Sequence, residues 1–218
     1  SGAATRPPLP SATRNVAPLL NNEPEDSFVG DSKKPSKRRG VGGARRPDDG
    51  LTVRRVPGED AWELALPRCA LARRDDMEQV RAMLAAGEVD VAVDELRWLL
   101  NGCDALVEAH QLLGEIALEE GDLELARGHL GYGYELVVKA LRAAVPDCRL
   151  PFSRPANQPF FKLAAALARC LHRLGDCQTA GEIVDRLLAL DPSDPLDVKS
   201  ILRLPPGSSE KIGLTGES

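Results

Sequence analysis

The sequence predicts an all-α fold made of helical hairpins and flanked by two tails without regular structure. Through the middle of the chain apolar residues recur at steps of three and four, the period of an amphipathic helix. A helix, glycine, helix unit repeats there at a fixed interval. Proline and glycine crowd both ends, where no apolar period is sustained.

Taken in order, residues 1–58 bury too little apolar surface to offset the entropy of ordering them, so a disordered arm is expected. The first sixty residues carry eleven Lys/Arg against eight Asp/Glu, a charge of +3, whereas the rest carries seventeen against twenty-five, a charge of −8. The basic run "KKPSKRR", with Lys33, Lys34, Lys37, Arg38 and Arg39, could meet nucleic acid or an anionic surface. No aromatic residues interleave it for base stacking, and a solvated linker is the competing reading. The folded domain is expected over 59–204. It opens with "EDAWELAL", where Trp62 and Leu66 would cover the first repeat before Pro67.

The helices follow. Met77, Val80, Met83 and Leu84 mark one amphipathic stripe, and Val89, Ala92, Val93, Leu96, Leu99 and Leu100 mark the next. Gly87 and Gly121 are 34 residues apart, and Gly121 and Gly175 are 54 apart, which is 34 plus an insertion of 20. Five residues after each glycine stands Ala92, Ala126 or Ala180. A tight helical corner needs a residue tolerant of positive φ, which Gly supplies. Where two helix axes approach most closely a large side chain would hold them apart, so Gly114 is expected to meet Ala126. The insertion at about 141–160 should begin with an overrun of the second helix of the middle repeat to about Val145. A proline-containing connector to Phe160 should follow, in which Phe152, Arg154 and Asn157 are candidate binding residues. "SDPLDVKSILRL" fits a capping helix over 194–204, with Ser193 or Asp194 as N-cap, Pro195 in first position and Leu196, Ile201 and Leu202 as its apolar stripe. Residues 205–218 are expected to be a disordered tail.

These units, at about 73–106, 107–140 and 161–194, resemble the tetratricopeptide repeat. The third matches best, with Ala168, Gly175, Asp176, Ala180 and Pro192. The second has Gly114, Gly121, Asp122 and Ala126 without a closing proline, and the first carries Val80 in the small-residue column. The resemblance implies a right-handed solenoid of about three repeats whose first helices line a concave groove. It places Arg74, Met77, Arg81 and Leu84 of the first repeat in that groove. From the second it places Glu108, Gln111, Glu115, Leu118 and Glu119, and from the third Lys162, Arg169, His172 and Arg173. The implied role is a non-catalytic adaptor or scaffold for a partner protein. Met77, Leu84 and Leu118 would be apolar anchors, and the basic, acidic, basic succession would orient the partner. Glu108, Glu115 and Glu119 would repel a C-terminal carboxylate, which argues against capture of that group. Two other readings are a nucleic-acid accessory protein using the arm, and a permanent subunit that buries an outer patch of Trp98, Tyr132 and Tyr134.

Catalysis finds little support in the residues. HExxH, GxSxG, P-loop and dinucleotide patterns are missing, and "GVGG" at 40–43 lies in the arm. His110 falls in a packing column, His129 is expected to be partly exposed, and His172 should face the groove. Five cysteines, an odd number without a CxxC pair, point to reduced thiols used as apolar packing groups rather than to a disulfide framework or a metal site. Hence no cofactor and no metal are expected. No run of eighteen apolar residues exists, so no membrane span is expected. A cytoplasmic location is the working expectation, although the chain opens on Ser1 rather than Met, which leaves a preceding targeting segment open.

Overall fold

The computed structural model describes residues 50–144, 148–203 and 205. Seven helices dominate it: α1 (Arg68–Leu71), α2 (Arg74–Ala85), α3 (Val89–Gly102), α4 (Val107–Glu120), α5 (Leu123–Ala144), α6 (Gln158–Arg173) and α7 (Cys177–Leu190). The all-α class therefore holds, with one addition at the N-terminal side. Strands β1 (Thr52–Arg55) and β2 (Trp62–Ala65) form an antiparallel hairpin in which Val53 faces Leu64 and Arg55 faces Trp62. Folded structure thus begins before residue 59, within the segment expected to be disordered. Alternation over only four residues per strand is too short a signal to stand out from the proline and glycine around it.

Three helical hairpins, α2 with α3, α4 with α5 and α6 with α7, turn on the predicted glycines. Gly87, Gly121 and Gly175 have φ of 80°, 84° and 88°. At each corner the next N–H, that of Glu88, Asp122 or Asp176, donates to the carbonyl five residues back, on Met83, Ala117 or Leu171, at 2.9 Å. That bond closes a Schellman turn, which satisfies a carbonyl the ending helix leaves open. The aspartate beside the glycine then starts the following helix. Asp122 Oδ1 accepts from Leu125 N–H at 3.0 Å and Asp176 Oδ1 from Thr179 N–H at 3.1 Å. Glu88 occupies this place in the first hairpin and makes no such bond.

Ala92, Ala126 and Ala180 are fully buried. The side chain nearest to Gly114, however, is Leu130, one turn beyond the expected Ala126. Gly133 marks a second close crossing, because a β-carbon there would lie 2.5 Å from Leu163 Cδ1 and 3.0 Å from His110 Cβ. The mid-chain helix α5 thereby approaches α4 and α6 at one point.

The core has two parts. One holds the second and third hairpins around α6, with Phe160, Leu163, Leu130, Val137, Ile183 and Leu187. The other belongs to the first hairpin and joins Met77, Val80, Leu96 and Leu99 to Leu106 and Leu113. Trp62 packs on the former and Leu66 on the latter, so only Leu66 covers the first repeat as expected. Within the second part Cys69 and Cys103 form a disulfide, with Cα atoms 5.6 Å apart. This overturns the expectation of reduced packing thiols for these two. An odd count excludes complete pairing but not a single bridge, and proximity across 34 residues depends on where Pro67 starts α1. Cys148 and Cys170 are buried, and Cys177 is exposed.

The insertion is a brace. Helix α5 runs to Ala144, close to the expected end. Beyond it Arg149 accepts from Trp62 N–H at 2.8 Å, Leu150 N–H donates to Leu190 at 3.0 Å, and Phe152 N–H donates to Asp191 Oδ2 at 2.8 Å. Asn157 is fully buried: its Oδ1 accepts from Leu64 N–H at 3.0 Å, and its Nδ2 donates to the carbonyls of Trp62 and Pro151 at 3.1 and 2.9 Å. Arg154 pairs with Glu59. Asn157 and Arg154 are therefore tied to the β-hairpin, and Phe152 packs edge-on against Phe161 at 5.8 Å. The C-terminal cap is a 3-10 helix over Val198–Arg203 rather than a helix from Pro195. Asp194 Oδ1 accepts from Val198 N–H at 2.7 Å. Val198 and Ile201 are buried, whereas Leu202 is exposed.

Candidate partner-binding surface

The predicted groove residues lie on α2, α4 and α6. Helix α4 packs along α6, and Arg173 Nη1 of α6 donates to the Leu118 carbonyl of α4 at 3.0 Å. Arg81 Nη1 of α2 lies 2.5 Å from Glu108 Oε1 of α4. Polar contacts thus connect α4 to both of the other helices.

Not all thirteen residues remain available. Arg74, Arg81, Glu119 and Lys162 are exposed, and Leu84, Glu108, Glu115, Arg169 and Arg173 are half-buried. Met77, Gln111, Leu118 and His172 are buried. Two of the three proposed anchors, Met77 and Leu118, thus belong to the two core parts, and Leu84 alone stays within reach. The cause is lateral packing. A helix with neighbours on both sides buries a wider sector than its own hairpin partner requires, and an apolar period cannot separate the two contributions.

Charge on this surface is partly matched within the protein. Gln111 Nε2 donates to Glu115 Oε2 at 3.0 Å. Burial raises the Glu115 carboxyl above its usual range, against the hydrogen bond from Gln111 and the charges of Arg169 and Lys162, which favour ionisation. Arg81 is engaged by Glu108. Arg74, Glu119 and Lys162 are exposed as well, one on each helix.

Histidine positions are mixed. His110 is buried, as its packing column predicts, with its Nε2 3.0 Å from the Asp104 carbonyl oxygen and its ring centroid 4.9 Å from that of Tyr132. His129 is half-buried, with its ring 6.0 Å from His110. Burial lowers the pKa of both, and His129 also feels the charges of His110 and Arg97. Among the described residues no group of three His, Cys, Asp or Glu side chains converges to hold a metal ion.

Two grooves escaped the sequence reading. One, about 390 Å³, lies between α3 and α5 with α4 in contact beneath it. The other, about 360 Å³, lies between α5 and α7 over α6, and Arg127, Arg142, Arg186, Glu135 and Glu182 border it. The step pattern Asp90, Val93, Asp94, Arg97 was a visible signal for the first, but it also reads as a solvated helix face. Of the outer aromatic residues, Trp98 is 59% and Tyr132 45% exposed, while Tyr134 stacks on Phe160. Arg73 covers the Trp98 ring at 5.0 Å, and Tyr132 donates to Asp104 Oδ2 at 3.2 Å.

Lys33, Lys34, Lys37, Arg38 and Arg39 lie outside the described residues. No helix among the described residues is long and apolar enough to cross a membrane. Comparison with protein-family models, with curated proteins and with solved structures finds no match for this chain.

Proposed function

We propose that the chain is a protein-interaction module of tetratricopeptide-like architecture, acting as an adaptor or scaffold rather than as an enzyme. The observation that carries this reading is the threefold recurrence of one corner geometry. Helices α2, α4 and α6 each end on a left-handed glycine closed by the same 2.9 Å bond. The same backbone corner, recurring after 34 residues and again after 34 plus the insertion, favours hairpins stacked as a solenoid, whose first helices would share one face. A partner segment would lie across that face with an apolar side chain against Leu84. Its charges would be read by Arg74, Glu119 and Lys162, exposed residues on each of the three helices. Complementary sign would favour the partner's arrival and its register more than its raw affinity.

Glu119→Lys combined with Lys162→Glu tests the proposal, because both side chains are exposed and their reversal does not mix folding with binding. Peptides selected from a random display library on the parent chain should lose about tenfold or more in affinity for the double variant. Parent-like affinity in a variant of unchanged helicity would refute the proposed face.

A further inference from the structure

The groove between α3 and α5 lies apart from the α2, α4 and α6 face. Its first wall is a single stripe of α3, in which Asp90, Val93, Asp94 and Arg97 follow at the three- and four-residue steps of one helical side. Its floor is apolar, with Leu113 and Ala117 buried and Ile116 half-buried on α4. Glu120 ends that floor, and α5 supplies His129 and Leu125, the latter 42% exposed. The Asp122 bond to Leu125 N–H fixes the backbone of that first turn and leaves the leucine side chain at the groove margin.

The lining chemistry narrows the occupant. Asp90, Asp94 and Glu120 give three carboxylates against one guanidinium, a net −2. Arg97 Nη1 lies 3.5 Å from Asp94 Oδ1, so that guanidinium is already engaged within the wall. Burial lowers the His129 pKa, which works against a positive charge beside the acids. An apolar floor under an acidic rim complements an apolar side chain flanked by Lys or Arg, the arrangement of a basic amphipathic helix laid in a groove.

We propose that the α3–α5 groove docks a basic amphipathic segment of a partner protein. Its apolar side chain would meet Ile116 and Leu125, and its Lys or Arg side chains would meet Asp90, Asp94 and Glu120. This goes beyond the face proposed above, and either site can fail without the other.

The probe is a fluorescein-labelled peptide of Lys, Leu and Ala at helical amphipathic spacing, about fourteen residues long. It is titrated with the full chain beside a scrambled peptide and a peptide with Glu in place of Lys. Both controls should bind about tenfold more weakly or worse. Asp90→Asn with Glu120→Gln, and separately Leu125→Ser, should each weaken the Lys peptide about fivefold or more. All three positions are exposed, and circular dichroism should show unchanged helicity. Glu119→Lys with Lys162→Glu should leave this binding at the parent value, which separates it from the other face. Absence of binding, equal binding of the scrambled peptide, or parent-like affinity in both groove variants overturns the proposal. So does self-association of the free chain that Leu125→Ser abolishes, since the groove would then belong to a second copy.

Discussion

Gly114 and Gly131, in the two helices of the middle hairpin, have opposite surroundings. A β-carbon on Gly114 would meet Leu130 Cγ at 2.3 Å and Cδ2 at 2.5 Å, and Leu130 is fully buried and cannot swing away. Overpacking costs about 1–3 kcal/mol. It should outweigh the gain of up to about 1 kcal/mol that alanine brings to a helix interior. Gly131 has nothing within 4 Å of that position, so alanine there should show the gain alone. In urea unfolding, Gly114→Ala should lower the midpoint and Gly131→Ala raise it; the reverse order would contradict the packing described. The small-residue column made Gly114 legible in the sequence. Gly133 was not, because it stands off that column and its reason is a third helix.

His110 makes stability depend on pH. Burial is the main influence on its pKa and lowers it from 6.5, against the opposing effects of the Asp104 carbonyl and carboxylate. Between the lowered folded pKa and the ordinary unfolded one, the unfolded chain binds the extra proton, so stability rises with pH across that window. The contribution is complete above the unfolded value and is lost as pH falls below it toward the folded pKa; His129 acts in the same direction. Urea midpoints should fall between about pH 7.5 and about pH 5.5, and His110→Gln should flatten that fall. An equal slope in parent and variant would contradict this assignment.

At the scale of elements, the β-hairpin depends on the brace. Asn157 satisfies Leu64 N–H and the Trp62 carbonyl at once, while its side chain is fully buried. Asn157→Ala strands those partners and should cost on the order of 3 kcal/mol, with faster amide exchange at Leu64. Retained protection at Leu64 would show that the strand pairing holds the hairpin without it. Overrun of α5 could be read from the sequence because its apolar period continues past Val137 and Val138 to Leu141. The role of Asn157 could not, since its partners in the β-hairpin lie more than ninety residues away in sequence.

The Cys69–Cys103 bond acts on a different element group. Both cysteines flank the first hairpin, whose core is separate from that around α6. Closing a loop of this length stabilises by about 4 kcal/mol, so reduction should lower the thermal midpoint. Amide exchange should accelerate in α1, α2 and α3 while α6 and α7 keep their protection. Uniform acceleration over all helices would mean that the two core parts unfold as one.

For the whole molecule, the helical hairpins and their corners were written in Gly87, Gly121 and Gly175, because positive φ leaves few other choices. The proposed binding face was written less clearly. Met77 and Leu118 satisfy the same helical period whether they face a groove or a neighbouring helix, and packing decides for the core. Charges survived better than apolar anchors, since Arg74, Glu119 and Lys162 stay at the surface. The acidic α3–α5 groove arises only once three helices are assembled.

The central claim is that the α2, α4 and α6 face receives a partner. The most direct measurement is hydrogen–deuterium exchange of the full chain with and without a library-selected peptide. Slowed exchange in α2 near Arg74 to Leu84, in α4 near Glu119 and in α6 near Lys162 is the result the account predicts. Slowing confined to α3, α5 or α7, or to residues 33–39, would contradict it.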